Sequence, residues 1–260
     1  MNLCADQLLL LMADPPQIQS LSHLSHEMAA SVYREKAKHY PINKGLAEDI
    51  LPYRPDLVIT GEFGGIATVN LLRKLGIRVE TLPIANSLNE VYANLRQMGE
   101  WIGHTERANT IIQTMQQALN ALDNSDNLQA TSAQKPIAAV YDPNAYTVGD
   151  KTLRGETIKR AGWQNAGELL GIHDYGVLSL EAIVKLAPNA LIESPYTQNT
   201  WSRAEAVAHH PALRRSAIQA QVISLPSRMT MCGGPWTVDV IKQLKQARLD
   251  WQAQFQSIKE

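Results

Sequence analysis

Two stretches of the chain repeat one pattern of apolar and polar positions. Leu46–Ile59 reads LAEDILPYRPDLVI, and Leu180–Ile192 reads LEAIVKLAPNALI. With Pro55 set against Pro188, Glu48 falls on Glu181, Ile50 on Ile183, Asp56 on Asn189 and Ile59 on Ile192. Each stretch predicts a helix halted before its proline, whose ring disfavours helical backbone in the preceding residue. The apolar runs that follow, Leu57–Ile59 and Leu191–Ile192, suit strands covered on both faces of a parallel sheet. A second pair, VETLP at Val79–Pro83 and VISLP at Val222–Pro226, alternates as strands do. Each of these follows a helical pattern, Val69–Leu75 and Ala212–Ala217. The simplest account is one βα design built twice, once in each half, with loops of different length.

The stretch between the halves predicts helices. Ser87-Leu88-Asn89-Glu90 is a capping box, in which the Ser side chain accepts from the Glu90 backbone and Glu90 reaches back. A helix is expected from Leu88 to about Ile102, ended by Gly103. Thr105 is placed to cap a second helix, Glu106–Leu122, with an apolar stripe at Ala108, Ile111, Ile112, Met115, Leu119 and Leu122. At 1.5 Å per residue it is about 25 Å long. The polar run Asp123–Gln134 reads as a surface loop. The second half opens with a strand, Ile137–Tyr141, a turn at Asp142-Pro143-Asn144, and a helix from about Leu153 to Ala161 ended by Gly162. A last helix follows Gly233-Gly234-Pro235, with proline near its first turn, and runs to about Gln256. The expected architecture is α/β, with two Rossmann-like lobes of parallel-type sheet at 1–104 and 124–260. A single long α-helix, 105–123, joins them.

Composition narrows the function classes. The chain has 260 residues, 45% of them apolar and 19% charged, and a net charge of -1. Such a chain folds around a core and carries no basic excess for nucleic acid. The longest apolar run, Leu8–Ala13, falls far short of the ~18 residues that span a bilayer. The first residues lack the basic start, apolar stretch and small-residue site of a signal peptide, so the chain is expected to be cytosolic, mature or truncated. Two cysteines, Cys4 and Cys232, allow one bridge or two unrelated buried thiols. A bridge at the edges of a cleft would tie two lobes together and oppose opening.

In open α/β sheets ligands bind outside the carboxyl ends of the strands, and two such lobes facing one another make a cleft. By position the first half contributes Asn2, Leu3 and Cys4, then His23–Ser25, then Gly61–Phe63 with Glu62 and Phe63. The second half contributes Asp142 and Tyr146, Tyr175, Ser194–Tyr196 with Tyr196, and Arg228–Met231 with Met229 and Met231. Aromatic side chains there suit a large planar or macrocyclic ligand. Arg228 could pair with carboxylate, catecholate or propionate oxygens, or could form a surface ion pair. His23 and His26 stand three apart, but a zinc site needs a third ligand and none is evident; His209-His210 diverge. His23 could also reach a metal axially. No metal site is assigned. The parts of a nucleotide-binding enzyme are missing: GEFGG at Gly61–Gly65 and CGG at Cys232–Gly234 lack the GxGxxG spacing. VGDKT at Val148–Thr152 lacks the P-loop glycines, and no GxSxG occurs.

Taken in order, NLCADQLLL, YRPDLVITG, the joining helix, Tyr146-Thr147-Val148-Gly149, GELLGI, Tyr175-Gly176-Val177, SLEAIVKLAPNALI, HPALRR and CGGPW resemble the helical-backbone (class III) periplasmic binding proteins. Those proteins serve ABC importers of iron-siderophore, heme and cobalamin. The resemblance covers nearly the whole chain. It implies a substrate-binding protein with no catalysis and no resident cofactor. Such a protein captures an iron complex or a cobalamin-like ligand in the interlobe cleft and delivers it to an inner-membrane permease. It implies periplasmic placement, no nucleic-acid partner and a monomer. It places Tyr146, Tyr175, Glu62-Phe63 and Arg228–Met231 near the ligand. Family members dock on the permease through acidic residues; Glu205 matches the second-lobe position. Gly65–Val69 shows no carboxylate, leaving Glu62 as the nearest substitute in the first lobe. Family members also begin a strand several residues before the position of Asn2, so the chain reads as clipped near that strand's end. A free zinc or manganese receptor of the same plan and a nucleotide-binding α/β enzyme are the alternatives.

Overall fold

The computed structural model describes residues 1–127, 135–196 and 220–257. The chain divides into two units, Met1–Met115 with Met231–Gly234, and Gln116–Thr230 with Pro235–Glu260. Both are α/β.

The first unit carries α1 (Leu3–Met12), β1 (Leu21–Ser22), α2 (Arg34–Ala37), β2 (Ile42–Asn43), α3 (Ala47–Ile50), β3 (Leu57–Gly61), α4 (Ile66–Lys74), β4 (Arg78–Leu82) and α5 (Leu88–Ile102). It also holds the start of α6 (Thr105–Asn127). Its strands pair in parallel, β1 with β2 and β3 with β4. Val58, Val79 and Leu72 pack with Ala47 and Ile50 around β3, and Leu10, Ile18 and Leu21 form a second cluster around α1.

The second unit carries the rest of α6, then β5 (Ile137–Val140), β6 (Tyr146–Val148), α7 (Leu153–Arg160), β7 (Gln164–Asn165), α8 (Ala166–Leu169), β8 (Tyr175–Val177), α9 (Leu180–Leu186), β9 (Ala190–Glu193), β10 (Gln221–Ser224), α10 (Ser227–Thr230) and α11 (Trp236–Ser257). Its main sheet has the order β10-β9-β5-β7, all parallel. Ala139, Tyr141, Ala166, Leu178 and Ile183 are buried on one side. Trp163 donates its indole N–H to the Leu244 carbonyl at 2.9 Å, tying α11 to the segment after α7.

The internal repeat is visible in the pairing. Val58 stands opposite Val79 in β3–β4, and Leu191 opposite Val222 in β9–β10. Those are the pairs that the sequence alignment of the two halves matches. The residues before the two prolines, Arg54 and Ala187, take left-handed backbone with φ of 46° and 47° rather than extended backbone. Their N–H groups close the last helical turn onto Leu51 and Ile183, so the left-handed residue serves as the helix stop in both copies.

Other elements correct the expectation. α6 begins at Thr105 and continues to Asn127, about 34 Å, so Thr105 lies in its first turn and Asp123 lies on helix rather than loop. Arg160 holds Asp123 at 2.7 Å, which explains why the polar run extends the helix. Ala108, Ile112, Met115 and Leu119 are buried, as the stripe predicts. Ser87 accepts from the Glu90 N–H as expected, but Glu90 accepts from Asn86 rather than from Ser87. The antiparallel pairing of β6 with β8 was not anticipated. The helical pattern Ala212–Ala217 lies outside the described residues.

Candidate functional site

In the second unit the candidate residues gather where β5 and β9 end. Asp142 follows β5 and accepts a 2.5 Å hydrogen bond from Arg154 on α7. Arg154 also donates to the Ser194 hydroxyl at 2.9 Å, and the Ser194 N–H donates to the other Asp142 oxygen at 2.9 Å. The Arg154 and Asp142 side chains are only 16% and 12% exposed, so this charge pair is shielded, and each partner makes one further hydrogen bond to Ser194. The chain then turns through Asn144 and Ala145, both at positive φ, and the Asp142 N–H bonds back to the Tyr146 carbonyl. This turn presents Tyr146 beside Tyr175 from the neighbouring strand β8. Their rings lie 5.8 Å apart and 18° from parallel. Both remain open to solvent, at 37% and 54% exposure. Burial pushes both phenols above their ordinary value of 10.0. Tyr146 is pushed further by Tyr175 and Asp142, while the Arg154 cation pulls both back. At neutral pH both hydroxyls therefore carry their protons and can donate.

Gly149 makes this hairpin possible. A Cβ there would stand 2.1 Å from the Ile172 carbonyl oxygen, and the Gly149 N–H donates to the Asp174 carbonyl at 2.6 Å. The Tyr-Thr-Val-Gly motif thus supplies a ring, a strand and the close approach that seats the second ring. Tyr196 is 43% exposed just past β9. Arg228 and Met229 sit half-buried in α10, and Arg228 makes no ion pair among the described residues.

In the first unit the side chains converge through two contacts. Asn2 is the N-cap of α1 and accepts from the Ala5 N–H. Its side chain lies where a Cβ on Gly61 would fall, 2.4 Å from the Asn2 amide nitrogen, so glycine at 61 lets Asn2 pack against the end of β3. The loop beyond β3 presents Glu62 and Phe63. Glu62 accepts from the Ile84 N–H at 3.2 Å and so joins the ends of β3 and β4. Phe63 is 91% exposed, with Ile66 and Ile84 also exposed. Cys4 is bonded to Cys232. Both cysteines belong to the first unit, because Met231–Gly234 returns to it. The bridge therefore lies within one unit, contrary to the expectation that it would tie two lobes. It brings Met231 beside the start of α1 and leaves no free thiol for a soft metal.

His23 is exposed at the end of β1. Its loop is anchored by Asp6, which accepts from the Ser22 N–H at 2.6 Å and the Ser25 hydroxyl at 2.8 Å. Burial raises the Asp6 pKa, against the opposing pull of the Met1 amino group and these two donors. The His26 Nε2 meets the Ala37 carbonyl at 3.0 Å. No group of three or more His, Cys, Asp or Glu side chains is placed to hold a metal ion among the described residues. Glu205 and His209-His210 lie outside the described residues. Sequence reasoning missed Arg154 and Asp6. A lone arginine in the first turn of a helix carries no motif, and its role exists only because the ends of β5 and β9 meet it.

Residues 2–229 match the profile of the family described as periplasmic binding protein. The chain belongs to that family. Its members are substrate-binding proteins of transport rather than enzymes. An uncharacterized ABC transporter substrate-binding lipoprotein, YvrC of Bacillus subtilis (strain 168), is 28% identical over 176 residues, covering 63% of this chain. The chain spans about half, 55%, of that relative's length. Among solved structures, the periplasmic heme binding protein from Pseudomonas aeruginosa superposes with a TM-score of 0.76 at 23% identity, over 94% of this chain and 89% of that one. The periplasmic vitamin B12 binding protein BtuF of Vibrio cholerae gives 0.68 at 17% identity, over 96% of each chain. At these identities the likeness shows the fold, a periplasmic binding protein with parallel α/β sheets.

Proposed function

We propose that this protein is the substrate-binding component of an ABC importer and that it captures a large metal chelate or corrinoid. An iron-siderophore complex is the leading ligand, followed by cobalamin and heme. The observation that carries this reading is the pair Tyr146 and Tyr175. Two protonated phenols lie side by side at the strand ends, backed by the Arg154–Asp142 pair. They offer a flat apolar surface with hydrogen-bond donors at its rim, which suits a ligand too large and rigid for a small polar pocket. Arg228, Met229, Met231, Tyr196, Phe63, Glu62, Asn2 and His23 are the further candidate contacts; Cys4 contributes through its bridge. Glu62 and Glu205 are the proposed permease contacts, and the working form is a monomer. The Cys4–Cys232 bridge supports placement outside the cytoplasm, since such bonds persist in oxidising compartments. The family match and the lipoprotein relative point the same way, to the periplasm or an equivalent cell-surface location.

Fluorescence of the five tryptophans provides the test. Titration with ferric siderophores, cobalamin and heme is expected to give saturable quenching by one of them, with the ligand recovered unchanged. No response to any of the three would overturn the proposal.

A further inference from the structure

Large apolar side chains that face water crowd one stretch of the first unit. Phe63 is 91% exposed, Ile66 77%, Leu75 54%, Leu71 44% and Ile84 43%. All five belong to α4, to the turn ahead of it or to the segments just past α4 and β4. Single exposed apolar residues are ordinary, whereas a cluster with a charged border marks a contact surface. α4 has two apolar faces. Leu72 is fully buried, and Val69 packs with it against the core around β3 and β4. Ala67, Leu71 and Leu75 stand four apart along an outer line, with Ile66 beside Ala67, and all four are exposed. Packing accounts for the inner face and leaves the outer one unexplained.

Local geometry holds this face open. The Gly64 N–H donates to the Gly61 carbonyl at 2.9 Å, which closes a turn with Phe63 at its tip. A Cβ on Gly64 would strike the Thr60 hydroxyl, so the turn needs glycine there. Glu62 accepts from the Ile84 N–H, which brings Ile84 to the same turn. The far end of α4 carries Arg73 and Lys74, both exposed, and the helix has no acidic residue. Arg73 donates to the Val79 carbonyl, and Arg78 is paired with Glu80. Neither Arg73 nor Lys74 makes an ion pair among the described residues, so the charge beside the apolar face is positive.

We propose that this face of α4 rests on a lipid bilayer surface bearing anionic headgroups. Phe63, Ile66, Leu71 and Leu75 enter the acyl boundary, and Arg73 and Lys74 meet headgroup phosphate oxygens. Two arguments choose lipid over protein. The exposed side chains offer roughly 500 Å² of apolar surface, short of the about 800 Å² per partner that a stable complex or dimer buries. An apolar stripe bordered by cations and by no unpaired carboxylate is also the composition that binds the headgroup boundary. Among the described residues no helix is long and apolar enough to cross a membrane. The contact is therefore peripheral, with α4, about 14 Å long, lying in the headgroup plane. Lipid contact needs neither the ligand nor the permease, so its failure leaves the proposed transport role standing.

Vesicle sedimentation tests it. The 260-residue chain is expected to sediment with vesicles of phosphatidylethanolamine and phosphatidylglycerol in equal parts. Binding to vesicles of phosphatidylcholine alone is expected to be at least about 10-fold weaker. Leu71→Ser/Leu75→Ser is expected to lower binding to the anionic vesicles at least about 10-fold. Its Tm should stay within about 2 °C of the parent, because both side chains already meet water. Lys74→Glu, which removes no apolar contact, is expected to lower binding at least about 5-fold, as is salt at about 0.5 M. If the double variant melts early, Lys74→Glu decides the matter alone. Equal binding to the two vesicle types, binding to neither, or undiminished binding by Lys74→Glu overturns the proposal. So does a dimer by light scattering that Leu71→Ser/Leu75→Ser dissolves, since a second copy then covers the face.

Discussion

Opening the Cys4–Cys232 bridge should cost the protein much of its stability, and the size of the loss can be worked from the chain path. The bridge joins residues 228 positions apart, and the first segment of the second unit lies inside the closed loop. A cross-link acts mainly by restricting the unfolded chain, by about 4.7 kcal/mol for a loop of 100 residues in the chain-entropy treatment. Each doubling of the loop adds only about 0.6 kcal/mol. Unfolding both units therefore sets the contribution at about 5 kcal/mol. If the second unit stays folded while the first melts, the freed loop is the stretch up to Met115, and the figure stays near 4.7 kcal/mol. The logarithm makes the prediction insensitive to which event comes first. For a unit of this size it corresponds to a fall in Tm on the order of 15 °C. Calorimetry on the oxidised protein, the reduced and alkylated protein and the Cys4→Ala/Cys232→Ala variant measures it. Alanine is preferred to serine because Cys232 is 5% exposed and a hydroxyl there would need a partner. Hydrogen exchange should rise first at Met231–Gly234 and at the first turn of α1. Three melting temperatures within about 3 °C would refute the reasoning, since the loop argument leaves no route to so small an effect.

Replacing Tyr146 or Tyr175 by Ala should weaken ligand binding at least about 10-fold while leaving the Tm within about 2 °C, because each ring is more than a third exposed; unchanged affinity for both removes them from the site. Both phenols have folded pKa values raised above 10.0, so the folded state keeps protons that the unfolded chain releases. The stability they contribute is complete below pH 10 and falls as pH rises from 10 through the folded values; absorbance titration near 295 nm should find two late-ionising tyrosines. Arg154→Met should leave the Asp142 carboxylate with a single described donor, lowering stability by about 2 to 3 kcal/mol and raising both phenol pKa values further; denaturant titration of the single variants and of the double variant with Asp142→Asn isolates the pair. Gly149→Ala should lower stability by more than about 1 kcal/mol, since its Cβ would meet backbone atoms that cannot turn aside.

The helices that cap, stripe and stop by local rules were legible in the sequence. α5 spans the predicted residues because Ser87 and Gly103 act on their immediate neighbours. The matched strands β3 and β9, and the fold class, were legible because burial on both faces leaves an unbroken apolar run. What was not legible depends on residues far apart in sequence. Nothing near Arg154 announces that Ser194 will stand beside it, forty positions away. The strands β6 and β8 pair across α7, β7 and α8, so no turn signal links them. The bridge was left open by the sequence because pairing residues 4 and 232 needs the chain's return to the first unit, which only the structure supplies. At Asp123 polarity is the local signal and points to loop, whereas the ion pair with Arg160 forms only in the fold.

The two copies of the βα unit agree where they build scaffold and part where they build chemistry. β3–β4 and β9–β10 share one register, and Arg54 and Ala187 share one left-handed stop. Neither feature touches a candidate ligand contact. The second unit adds what the repeated unit in the first lacks: an antiparallel strand pair, β6 and β8, that carries Tyr146 and Tyr175, with a partly buried arginine beside it. The first unit adds its own device, a bridge that pulls Met231 to the start of α1. If selection acts on ligand choice, substitutions that change specificity should fall in these additions. Changes at Val58, Val79, Leu191 or Val222 should alter stability alone. A swap of Tyr175 with its hairpin partners that changes ligand preference, set against a Leu191→Ala variant that melts earlier but binds the same ligand, would separate the two roles in a single binding screen.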